Sequence, residues 1–143
     1  MHHTEFHVRL AAYAVITRGE EVLLTWFNGL HGGTPCWSLP GGGIEFDESV
    51  TDGLVREVLE ETGYHVEVGG LLAESHRIWP VGPERDKPLR SQRLLFEASI
   101  TGGTLGTLEV GGTTAFARWV RRDSLEGEPT GDVVRIALGL LEG

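Results

Sequence analysis

Arg56-Glu57-Val58-Leu59-Glu60-Glu61 sets three carboxylates beside one guanidinium in a short run of chain. At about 100° per residue on a helix, Glu57, Glu60 and Glu61 fall within an arc of roughly 100°. Like charges at i and i+4, as at Glu57 and Glu61, cost a bare helix about 0.2–0.5 kcal/mol, and burial raises that cost. A hard divalent cation offsets it, because Mg²⁺ takes oxygen ligands, keeps several waters and bridges protein carboxylates to substrate phosphates. Gly53, one turn before Glu57 on the same side, leaves room there for metal or phosphate. The plainer reading is a solvated acidic face with Arg56 as its counterion. An EF-hand is excluded, since its ligand spacing is absent. Gly41-Gly42-Gly43 is not the phosphate cradle of a nucleotide triphosphatase, because no Gly-Lys-Ser/Thr follows it. Glycines at those positions instead permit a tight turn and close backbone approach to an ion.

Several elements must hold these groups. From about Glu48 to Thr62, Val50, Leu54, Val58 and Leu59 make an apolar stripe of helical period, and Gly63 supplies the stop. Upstream, VRLAAYAVITRGEEVLLTWF reads as two strands joined by the polar turn RGEE into a hairpin, and CWSLPGGG as a short strand ended in a loop by Pro40 and the glycines. Downstream, YHVEVGGLLAESHRIWP reads as a strand with a bulge or kink at Gly69-Gly70. After the loop PVGPERDKPL come strands SQRLLFEASI and TAFARWV. RDSLEG is a short helical turn. TGDVVRIALGLLEG is an amphipathic helix with Asp132 near its start and Gly143 beyond its end. Interspersed strands and helices predict a mixed sheet covered by helices.

The 143 residues are expected to form a single domain, 1–143, with one core. A hydrophobic fraction of 40% with 23% charged residues is that of a globular protein, and no apolar run is long enough for a membrane span. No secretory cleavage pattern opens the chain, and Cys36 is its one cysteine, so a cytoplasmic setting without disulfides is expected. A net charge of −9 argues against long nucleic acids as partners, whose binding rests on basic groups releasing counterions. Small phosphorylated molecules fit if a cation mediates. His2 and His3 are native residues or a trimmed tag, and His31, His65 and His76 lack zinc spacing.

Gly42, Glu48, Arg56, Glu57, Glu60, Glu61 and Gly63, with aliphatic Val58 between them, resemble the signature of the Nudix hydrolase family at every fixed position from Gly42 to Tyr64. Tyr64 departs from the usual aliphatic residue, which touches packing rather than chemistry. WSLPGG before the signature and ARWV after it look like the family's flanks. The resemblance implies an α/β/α sandwich with a mixed β-sheet, whose loop–helix–loop holds Mg²⁺ or Mn²⁺ to hydrolyse a nucleoside diphosphate linked to another group. It implies Glu57, Glu60, Glu61 and the Gly42 carbonyl as metal ligands, Arg56 as the residue that orients the carboxylates, and Glu48 as an organiser of the loop–helix–loop. Relatives are often homodimers, and they often draw a general base from a downstream loop, where TLEVGGTTAFARWV offers Glu109, with Glu97 as runner-up. Ala115 and Phe116 stand where such relatives often carry two acidic residues.

The resemblance implies a small nucleotide as substrate. Trp26, Phe27, Trp37 and Trp79 are the aromatics able to stack on a base, with core packing the default for Trp37 and Trp119. Trp79 differs because it precedes Pro80 at the edge of a long loop. Arg77, Arg85, Lys87, Arg90 and Arg93 lie in or beside that loop and suit phosphate or ribose, or simply solvation. Some ADP-ribose-cleaving relatives carry a proline about 16 residues past the signature, where Pro80 stands. An ADP-ribose-like diphosphate or nucleotide sugar, bound through Trp79, Arg77 and Arg93, is therefore ranked first. A nucleoside triphosphate is next. A Nudix-like regulator that binds without cleaving is the third alternative, disfavoured by the intact glutamates.

Overall fold

The computed structural model describes residues 1–29 and 33–142, so His31 and Gly143 lie outside the described residues. Its elements are β1 (His7–Val15), β2 (Thr17–Arg18), β3 (Glu21–Phe27), β4 (Cys36–Ser38), β5 (Gly41–Gly43), α1 (Val50–Thr62), β6 (Tyr64–Trp79), β7 (Leu89–Gly103), β8 (Thr114–Arg121) and α2 (Asp132–Glu142). One sheet runs β5-β1-β7-β6. It is mixed, because β1 pairs parallel with β7 while its other pairings are antiparallel. In the second sheet β3 is central, paired on one side with β8 and on the other with β2 and then β4.

Alternation in β1 and β3 explains the layering. Ala12, Ala14, Ile16 and Leu23 pack with Leu54 and Val58 of α1. Val15, Val22 and Leu24 point the other way, to Leu39, Leu95 and the α2 residues Val133, Val134 and Ala137. The helices thus cover opposite faces, and each core takes residues from both sheets. No helix among the described residues is long and apolar enough to cross a membrane.

The helix over the glutamates forms where the apolar stripe predicts, starting at Val50 because the Ser49 hydroxyl caps it by accepting from Asp52 N–H at 3.1 Å. Gly63 ends it at φ 79°, the left-handed conformation that glycine adopts freely. The register of β6 shifts between Val68 and Leu71, as the Gly69-Gly70 pair predicts. Two expectations are corrected. The β1 and β3 runs do not form a long hairpin: only Thr17–Arg18 turns back on β3, while β1 crosses into the other sheet beside β5 and β7. Both of its faces then meet a helix layer, which a solvent-edged hairpin would not allow. The glycines after Pro40 are also not loop but strand β5, paired with Ala11, Ala12 and Tyr13. Glycine is a poor strand former by propensity, and the edge of β1 supplies the hydrogen bonds that override it.

Candidate active site

Strand β5 carries no side chains, and α1 packs beside it. The carboxylates of Glu57 and Glu61 therefore reach past the sheet edge into a pocket of about 460 Å³ between the two sheets. Gly42 is needed for this, since a Cβ there would stand 3.0 Å from the Glu57 carboxylate. Sheet residues Arg9, Tyr13, Phe27, Cys36 and Ser38 also line it, together with Glu109 and Thr114.

Glu61 is buried at 7% exposure, accepting from Gly41 N–H at 2.7 Å and from the Thr114 hydroxyl at 2.6 Å. Burial pushes its carboxyl up to about 8, opposed by those two hydrogen bonds and assisted by the charges of Glu57 and Glu109. Burial also raises Glu57, against the attraction of Arg56 and with the repulsion of Glu60 and Glu109. Arg56 is the organiser: its Nε and Nη2 donate to the two Glu48 oxygens at 3.0 and 2.6 Å, and its Nη1 reaches Glu57 at 3.2 Å and Glu60 at 3.3 Å. That fork holds the Glu48 carboxyl down to about 2, helped by the backbone N–H of Glu45. Glu60 stays on the Arg56 side, outside the pocket lining.

Among the described residues, no three His, Cys, Asp or Glu side chains converge as a closed metal cage. Mg²⁺ needs none, being held by one or two carboxylates together with waters and substrate phosphates. Glu57 and Glu61 fit that donor set: both present carboxylate oxygens to one pocket, and burial raises both carboxyls.

Glu109 is brought to this pocket by backbone, not by its own side chain. The last carbonyls of α1 need partners. Gly106 N–H donates to Thr62 O at 2.9 Å, the Thr107 hydroxyl to Glu61 O at 2.8 Å, and Leu108 and Glu109 N–H to Glu60 O at 2.8 and 3.0 Å. The loop that caps the acidic helix thereby delivers Glu109 beside Glu57 and Glu61. Glu97 lies elsewhere, exposed on β7 beside Tyr64 and Trp119.

The region around Trp79 differs from expectation. Trp79 lies outside this pocket, with the Arg77 guanidinium 4.7 Å over its ring. Arg93, in the strand expected beside the loop, is buried at 7% exposure, donating to Asp132 of α2 at 2.6 Å and to the Ser75 hydroxyl at 2.9 Å. A free phosphate arm cannot be tied down in this way. Burial would raise Asp132, but Arg93 and Arg77 hold its carboxyl below the usual range. Arg85, Lys87 and Arg90 donate to Pro80 O, Thr4 O and Gln92 Oε1, away from the glutamates. Trp37 packs edge-on against Trp26 and Phe116 in the core, and Arg18 covers Trp119. Of the aromatics considered for a base, Phe27 alone lines the pocket. Arg9 and Tyr13 were not identified from the sequence; their i, i+4 placement on one face of β1 was the available signal.

A family model described as NUDIX domain matches residues 7–136. A provisionally named 8-oxo-dGTP diphosphatase of Bacillus subtilis is 35% identical over 86 residues, covering 60% of this chain and 50% of that protein. An ADP-ribose pyrophosphatase of Methanocaldococcus jannaschii is 36% identical over 70 residues, 49% of this chain and 38% of that protein. The chain thus spans half or less of the length of these curated relatives. Among solved structures, a NUDIX hydrolase from Nitrosomonas europaea superposes with a TM-score of 0.75 at 21% identity, covering 94% of this chain and 88% of that one.

Proposed function

The chain belongs to the Nudix hydrolase family, whose members use divalent metal ions to act on small nucleotides, and on that premise we propose that it cleaves the phosphoanhydride of a nucleotide carrying a single base. The observation that carries this reading is the one pocket in which Glu57, Glu61 and Glu109 face Phe27, Tyr13 and Arg9. Carboxylates for an ion, a proton acceptor and an aromatic wall are within one nucleotide's reach there.

Glu57 and Glu61 would hold the ion with the Gly42 carbonyl, and Arg56, paired also with Glu60, would fix the glutamate rotamers. A bound divalent ion neutralises phosphate oxygens and eases deprotonation of an attacking water. Glu109 accepts the proton as the water oxygen attacks phosphorus, and the bridging P–O bond breaks with its electron pair leaving on the departing phosphate. Phe27 offers a face to the base.

A nucleoside triphosphate replaces the ADP-ribose-like diphosphate as first choice, because Trp79 and Arg93 are not in the pocket. The 8-oxo-dGTP name of the Bacillus subtilis relative is in keeping with this. The ADP-ribose reading retains one observation in its favour: Arg9 and Arg77 both pair with Ser91, which sets them on one sheet face with Trp79 beyond. The Methanocaldococcus jannaschii name agrees with that alternative. Product identity decides, using Mg²⁺ or Mn²⁺ with a panel of nucleoside triphosphates, dinucleotides and nucleotide sugars. A nucleoside monophosphate with pyrophosphate supports the triphosphate; AMP with ribose 5-phosphate supports ADP-ribose. Undiminished turnover in excess chelator overturns the metal requirement.

A further inference from the structure

We propose that Arg9 is a substrate-recognition residue of this pocket, an arm that binds the phosphate group lying away from Glu57 and Glu61; the inference rests on the pocket being a nucleotide site. Four observations meet at this residue. Arg9 lines the pocket from the β1 face it shares with Tyr13, the face turned away from α1. Its side chain is exposed, and among the described residues no Asp or Glu forms an ion pair with it; Arg90, Arg118 and Arg135 share that trait, but none of them lines this pocket. The strand beside it presents bare backbone at Gly43, where a Cβ would touch the Arg9 Nη2 atom at 3.4 Å. Tyr13, two repeats of the pleat further along the same face, lies beside the guanidinium; burial raises its phenol and Arg9 works against that rise.

A pocket whose wall nearest the helix is acidic repels the nucleotide's own phosphates. Carboxylates neutralised by an ion can accept one phosphate, and a second needs a cation of its own. Arg9 is placed to be that cation. The guanidinium fork matches two phosphate oxygens, which a Lys ammonium does not reproduce. Its contact is one made equally in the bound substrate and as the anhydride breaks, so it governs affinity more than turnover.

The test compares wild type, Arg9→Gln and Arg9→Lys in steady-state kinetics on the substrate the panel identifies, and in calorimetric binding of inorganic pyrophosphate with Mg²⁺. Arg9→Gln is expected to raise KM and the pyrophosphate Kd about 10-fold or more, the scale of a lost charge-assisted contact, with kcat within about threefold and a weaker dependence of KM on salt. Arg9→Lys should fall between the two. Thermal unfolding should match wild type, since the residue is exposed. A KM and Kd unchanged in Arg9→Gln overturn the proposal. If wild type cleaves nothing in the panel, the nucleotidase reading fails, and pyrophosphate still decides for Arg9: binding that Arg9→Gln loses supports the arm, while equal binding, or none by wild type, overturns it.

Discussion

Glu61 is the residue where chemistry and stability meet. Its folded carboxyl titrates near 8 against an ordinary value of 4.5, so between those limits the folded state holds a proton the unfolded state has lost. Stability from this group is therefore full below about pH 4.5 and declines as pH rises through about 8. The metal-free protein should melt at progressively lower temperature from pH 5 to pH 8.5, and Glu61→Gln should flatten that slope; a wild-type melting temperature constant over the range counts against it. Added Mg²⁺ or Mn²⁺ should restore stability at the alkaline end. Glu109, the proposed proton acceptor, should act on rate instead. Glu109→Gln should lower kcat by about 100-fold or more with metal affinity nearly intact, as loss of a general base does, while Glu97→Gln should behave as wild type. The reverse pattern would return the role to Glu97, and no effect from either would place the proton acceptor on α1.

At the scale of elements, the site depends on a helix closed at both ends. Ser49 caps its start, and the chain from Thr104 to Glu109 satisfies the carbonyls at its end. Gly63 makes this possible by turning left-handed, and a Cβ there would run into the carbonyl oxygen of Thr104. Gly63→Ala should cost ~1–3 kcal/mol in urea unfolding, the scale of forcing a side chain into strained backbone. It should also reduce turnover by displacing Glu109; an unaltered unfolding midpoint would refute the argument. The α1 boundaries, the β6 kink and α2 were legible because each has a local signal: an apolar period, a glycine pair, a helical stripe. Strand β5 was not, because three glycines carry no strand signal and only the hydrogen-bonding edge of β1 organises them.

For the molecule as a whole, β6 is an edge strand that ends in Ile78 and Trp79, exposed at 59% and 42%, followed by Val81 at 59%. Such apolar edges are covered in stable assemblies. A homodimer is the expected state, and light scattering should give about twice the 15.6 kDa of one chain; a monomer mass at assay concentration removes the expectation. The sequence by itself determined the clustering of charge: spacing on one helix commits Glu57, Glu60, Glu61 and Arg56 to a shared face, since a helix has a fixed period. Helical content and the amphipathic second helix follow from the same local rule. Tertiary structure alone decided the rest of the site. Glu109 arrives through backbone capping of α1, and Arg9, Tyr13 and Phe27 arrive from strands of two different sheets. Trp79 and Arg93, near one another in the chain and suited by type, were carried elsewhere for the same reason. Pairing between strands distant in sequence sets which faces meet, and no periodicity within a segment records its partner.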